Sequence, residues 1–173
     1  MAAASALRAR RAGLLAAAVA LVAACAARSP APLPRADSLR VSDAALEGDP
    51  TRRASLRLVL QGLDEDAAGR VETARSSYER ALQIDSTNPY AYLALARLEV
   101  EAGRFDRALE ALDQAELFFG GEAPGVEAHL AGLRGAASLG KGYGGEAGAL
   151  LDRASQMAPE VWADGQLTAA ELR

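Results

Sequence analysis

The feature that most restricts this chain is a set of small residues that recurs in register. Gly62, Gly69, Ala74, Tyr78 and Ala81 each have a counterpart 34 residues on, at Ala96, Gly103, Ala108, Leu112 and Ala115. A further 39 residues on stand Gly135, Gly142, Ala147, Leu151 and Ala154. Small positions stay small and the one large position stays large. An alanine-rich chain matches itself by chance at one or two places, whereas five in register, twice, implies a repeated unit. The punctuation recurs too. Asp49 precedes Pro50 and Asn88 precedes Pro89, each pair offering a capping side chain and a first-turn proline to a new helix.

Close helix packing explains the register. Half of the residues are apolar and only 5% are aromatic, and the apolar content is mainly Ala, Leu and Val, which favours helices over sheets. Gly62, Ala96 and Gly135 fall in the middle of one helix of each unit, and Ala74, Ala108 and Ala147 fall in the next. With no side chain beyond a methyl, the two helices can approach closely, while Tyr78, Leu112 and Leu151 fill the space between pairs. Gly69, Gly103 and Gly142 supply the turn, where a left-handed backbone costs glycine little. A helical hairpin of this kind cannot bury its apolar face alone, so about three must stack.

A 34-residue hairpin with these contents resembles the tetratricopeptide repeat. The unit 89–122 matches best, at Tyr92, Leu95, Ala96, Gly103, Ala108, Leu112 and Ala115. Unit 55–88 matches at Leu58, Gly62, Gly69, Ala74, Tyr78 and Ala81, and unit 128–161 at Gly135, Gly142, Ala147, Ala154 and Pro159. Glu65, Glu99 and Ser138 replace the family's usual Tyr, Arg134 replaces a usual Leu, and residues 123–127 are extra. The resemblance implies an all-α fold, a short right-handed α-solenoid of about three hairpins over 50–161. Residues 162–173 are expected to cap the last pair.

The front end reads differently. Arg8, Arg10 and Arg11 precede an uncharged run, residues 12–24, that ends at Cys25, the only cysteine. The run is shorter than the ~20 residues a spanning helix needs but suits a secretory signal. Val22, Ala23, Ala24 and Cys25 resemble a bacterial lipobox, in which the cysteine is lipidated and cleavage falls just before it. On that reading residues 1–24 are a signal peptide and 25–49 are a lipidated cysteine followed by a Pro-rich tether. A plain signal peptide with an incidental cysteine, or an organelle transit peptide, are the alternatives. Pro30, Pro32 and Pro34 favour extended geometry, enough to lift the body about 30 Å off a membrane. The expected place is the bacterial cell envelope, facing the periplasm, with the outer membrane favoured because Ala26, not Asp, follows the cysteine.

Little in the body points to chemistry. The formal charge of −4 becomes −7 without the first 24 residues, which hold three Arg and no acid, and an acidic body argues against nucleic-acid binding. Gly135, Gly140 and Lys141 mimic part of a phosphate loop, but Gly142 stands where Ser or Thr should bind magnesium, and the preceding segment has helical periodicity. His129 is the only histidine and cannot build a usual zinc site alone. Asp64, Glu65 and Asp66 lack the spacing of a calcium loop. No metal, cofactor, catalytic residue or small-molecule substrate is expected, and the chain is not expected to be an enzyme.

Binding is better supported. In the resemblance, the first helix of each unit lines a concave groove. The helical period then places Leu56, Val59 and Leu63 there from unit one, Tyr90, Leu93, Arg97 and Val100 from unit two, and His129 and Ala136 from unit three. An apolar groove with Tyr and Arg suits an extended or helical peptide. The alternative is that some of these residues bury against the leader or the C-terminal segment. The positions of the family's carboxylate clamp hold Val59, Leu63, Ala94, His129 and Leu133, which excludes that partner class. The expectation is a lipid-anchored, non-enzymatic scaffold for envelope assembly that grips a protein or peptide partner. A small-ligand binder or enzyme using His129, and a passive spacer, are the alternatives.

Overall fold

The computed structural model describes residues 39–46, 48–120 and 124–173. The expected signal peptide, Cys25 and the Pro-rich segment through residue 38 lie outside the described residues. A short turn, α1 (Val41–Ala44), leads into three hairpins. These are α2 (Pro50–Ala67) with α3 (Val71–Ile84), α4 (Pro89–Glu101) with α5 (Phe105–Phe119), and α6 (Pro124–Gly140) with α7 (Gly144–Met157). Two further short helices follow, α8 (Pro159–Trp162) and α9 (Ala169–Leu172). Helices pair most closely within each hairpin; α3 packs on α4 and α5 on α6, and the first helices α2, α4 and α6 also touch in series. The fold is a short α-solenoid.

The local chemistry repeats with the register. The Asp49 carboxylate accepts from the backbone N–H groups of Thr51 and Arg52, and the Asn88 side chain accepts from Tyr90 N–H, with Pro50 and Pro89 in the first turns. All three hairpins turn on a glycine in the left-handed region, Gly69 (φ 74°), Gly103 (φ 70°) and Gly142 (φ 88°). In each, the next residue's N–H reaches back five positions: Arg70 to Glu65 O (2.9 Å), Arg104 to Glu99 O (2.8 Å) and Tyr143 to Ser138 O (2.9 Å). This is the Schellman closure that satisfies otherwise orphaned carbonyls.

The expected close approaches are present. A Cβ built on Gly62 would lie 2.4 Å from the Tyr78 ring, and one on Gly135 would lie 2.9 Å from Leu151 Cγ. Ala96 and Leu112 are both fully buried in the middle unit. The first unit thus joins no side chain to a large ring, and the second joins a methyl to a smaller leucine. Gly62→Ala should lower stability by about 1–3 kcal/mol through overpacking. Adding Tyr78→Leu should recover most of that loss, because it copies the middle unit. Urea melts of the single and double variants test this, and equal losses in both would exclude the packing explanation.

Three of the residues that depart from the family pattern, Glu65, Glu99 and Arg134, have polar partners. Glu65 accepts from Ser77 and Gln61, and Glu99 is paired with both Arg75 of α3 and Arg104. Arg134 bridges to Asp113 and Glu116 of α5, at 2.8 Å each, and so ties the third hairpin to the second. Ser55 donates to Ala81 O and accepts from the fully buried Asn88 amide, which joins unit one to the start of unit two. Helix α6 begins at Pro124, so the last of the extra residues lengthen its first turn.

Candidate functional site on the concave face

The first helices α2, α4 and α6 set one contiguous face. Leu56, Val59 and Leu63 of α2 and Leu93 of α4 belong to a single buried apolar cluster, with Tyr90 and Val100 packed against it. The structure therefore brings the expected groove residues together. It does not leave them open. Leu56, Val59, Leu63 and Leu93 are at most 1% exposed, Arg97 is 2% exposed and His129 1%. Tyr90, Val100 and Ala136 are half-buried, and the Tyr90 ring meets the Phe119 ring edge-on at 5.0 Å.

The face is covered by two segments of the same chain. Helix α9 packs against α2 and α4, and α1 packs against α2. Val41, Leu167, Ala169 and Leu172 join the same cluster. The two segments meet: Ser42 N–H donates to Arg173 O at 2.8 Å, and the Arg173 guanidinium pairs with Asp64 at the far end of α2. Residues 162–173 were expected to cap the last hairpin. Beyond Trp162 they run back instead along the concave face to the first one, where the apolar side chains of α9 join the leucines and valine of α2.

Trp162 does sit on the last hairpin. A Cβ on Gly132 would lie 2.4 Å from its indole, so α6 is shaped to admit the ring. Its Nε1–H donates to His129 Nδ1 at 3.1 Å. Burial lowers the His129 pKa to about 4, against smaller opposing effects from the Leu39 backbone, Glu171 and Glu160. The imidazole is therefore neutral near pH 7, its Nδ1 is occupied as an acceptor, and no solvent reaches it. That is the arrangement of a structural residue.

Arg97 also changes role. Its guanidinium is buried, paired with the equally enclosed Asp66 of α2 and, at 3.0 Å, with Glu101. Asp66 accepts in turn from the Tyr78 hydroxyl at 3.3 Å. Arg97 thus fastens the first two hairpins and is not presented to a partner. Its substitution by glutamate would attack the fold before it touched binding.

The remaining motifs resolve as structure. Gly140 ends α6 against the Phe105 ring, and Lys141 pairs with Asp106, so no phosphate loop forms. Asp64, Glu65 and Asp66 are all engaged by the side chains named above. Among the described residues no group of three or more His, Cys, Asp or Glu side chains could hold a metal ion. No described helix is long and apolar enough to cross a membrane.

Sequence reasoning named the leader and the C-terminal segment only as the alternative occupants of the face and placed none of their residues there. One signal was readable: Thr168 and Glu171 have the spacing of a capping box. In the structure Thr168 accepts from Glu171 N–H and Glu171 accepts from Thr168 N–H, starting α9. The Asp66–Arg97 pair carried no such signal.

Comparison with known proteins finds the same kind of repeat. A family model described as tetratricopeptide repeat matches residues 67–128, which include α3, α4, α5 and the turns between them. No curated protein and no solved structure matches the chain. Repeats of this type generally mediate protein–protein interaction and are typically non-catalytic.

Proposed function

The chain being a tetratricopeptide-repeat protein, we propose that it is a membrane-anchored scaffold of the cell envelope that holds a partner peptide or helix on its concave face. The observation that carries this reading is the seating of short segments on that face. Residues 39–45 and 163–173 lie along the first helices with their apolar side chains in the repeat core. A surface that accepts two such segments has the depth and apolar character to accept a third of the same kind. The anchor rests on the sequence alone: the positive start, the apolar run and Cys25 at its end. With a lipid there, attachment would be durable, since two or more chains hold a protein stably to a bilayer. The envelope setting and the periplasmic side follow from the same segment.

Site-specific photocrosslinking in native membranes tests the reading. A photoreactive residue at Val100, half-buried on the concave side, should yield one defined adduct. The same residue at Arg107, exposed on α5, should not. Adducts from Arg107 alone, or none from either, would remove the concave face from the function. Cys25→Ser should move the protein into the soluble fraction, and retention in membranes would remove the anchor.

A further inference from the structure

We propose that residues 163–173 are a resident ligand of the concave face, displaced when a partner segment of the same chemistry arrives; this rests on the scaffold reading above. The partner segment is a short helix that carries a small residue and a leucine three positions apart and a cation directly after the leucine. In the arm these are Ala169, Leu172 and Arg173.

The arm is attached in a way the hairpins are not. Each hairpin helix has a partner adjacent in sequence and packs on it along its length. Helix α9 is four residues long, too short to be stable without tertiary contacts. Three buried apolar side chains hold it: Leu167, Ala169 and Leu172, all at most 5% exposed. Its far end is fixed by the Ser42–Arg173 backbone bond and by the Arg173–Asp64 pair, whose side chains are 47% and 53% exposed. An ion pair that open to water contributes little.

The connection suits release. The chain leaves the fixed Trp162 and turns at Gly165, whose φ is 77° and whose missing Cβ would meet nothing within 4 Å. Residues 163, 164 and 166 are exposed. Swinging α9 away would therefore leave Trp162, His129 and Gly132 in place and would open the leucines of α2 and α4. Elements with few buried contacts are the ones that open locally while the rest stays folded. The exposed Asp64 carboxylate at the end of α2 gives the same face a specific place for a cation, and Arg173 uses it now.

The test uses the full chain and a fluorescent peptide spanning residues 163–173. In the unaltered protein the tethered arm competes with the peptide at a high effective concentration. Leu172→Asp in the protein should release the arm, keep the helical content, and tighten peptide binding at least tenfold. A peptide carrying the same change should not bind. A second variant leaves every side chain of α9 and of its seat unaltered: about twenty Gly and Ser residues inserted between Asp164 and Gly165 lower the effective concentration, and binding should tighten several-fold. The proposal is overturned if Leu172→Asp folds without a gain in affinity. It is also overturned if that variant unfolds and the lengthened chain gains nothing, which would make the arm an integral part of the core. A lengthened chain that becomes a dimer by exchanging arms would identify a second copy as the occupant and overturn it as well. A Val100 adduct in membranes together with no peptide gain would keep the scaffold reading and discard the resident ligand alone.

Discussion

Asp66→Ala should cost the fold about 3 kcal/mol, the scale expected when one partner of a buried ion pair is removed. The loss comes from what remains. Arg97 is 2% exposed, and without Asp66 its charge keeps only Glu101, whose side chain is 58% exposed. The Arg97 Nε atom already has no hydrogen-bond partner, so the site has no spare acceptor to offer. Asp66→Ala combined with Arg97→Met should recover most of the loss, because a well-packed apolar replacement for a buried pair is often neutral. Denaturant melts of the two single variants and the double variant measure the coupling. If Asp66→Ala lowers stability by less than about 1 kcal/mol, as an exposed pair would, the two charges are not enclosed as described. The same geometry explains why Arg97→Glu is a poor test of partner binding: it would set a second carboxylate beside Asp66.

Acid should weaken the fold through His129 by a comparable amount. In the unfolded chain this histidine has an ordinary pKa near 6.5, and in the folded chain burial lowers it to about 4. Above pH 6.5 both states are neutral and the residue adds no pH dependence. Between pH 6.5 and 4 the unfolded chain takes up a proton that the folded chain refuses, so stability falls as pH falls. The loss should reach about 2 kcal/mol by pH 5 and about 3 kcal/mol by pH 4. Below that the folded state is protonated too; both ring nitrogens then carry hydrogen, and Nδ1 can no longer accept from Trp162. His129 is the only histidine in the chain, so the upper part of this window belongs to it. Asp49, Asp64 and Asp85 have pKa values below the usual carboxylate range, and their contributions are lost only at lower pH. His129→Gln should flatten the stability profile from pH 7 to 5. An unaltered slope in that variant would place the proton uptake elsewhere.

The hairpins were legible because their determinants are local. Gly69, Gly103 and Gly142 close turns whose bonding spans six residues, and Asp49 and Asn88 cap helices within three. The small residues that let helices nest are separated by one hairpin, a distance the 34-residue register exposes directly. Even unusual positions had local solutions, as when Arg134 reaches Asp113 and Glu116 on the preceding helix. Which residues form the concave face was also legible, since helical period assigns a face to each side chain.

What lies on that face was not. Leu56, Val59, Leu63, Leu93 and His129 read as an open groove, with a covered face as the alternative, because period says which way a side chain points and not what it meets. Arg97 read as a surface charge because its partner, Asp66, is 31 residues away. The covering segments come from opposite ends of the described chain, and the Arg173–Asp64 contact joins residues 109 positions apart. By itself, the sequence determined three nested hairpins and the residues of their inner wall, through spacings within and between adjacent helices. Only the tertiary structure decided that this wall is occupied, because occupancy depends on which distant apolar side chains find uncovered leucines once the helices have stacked.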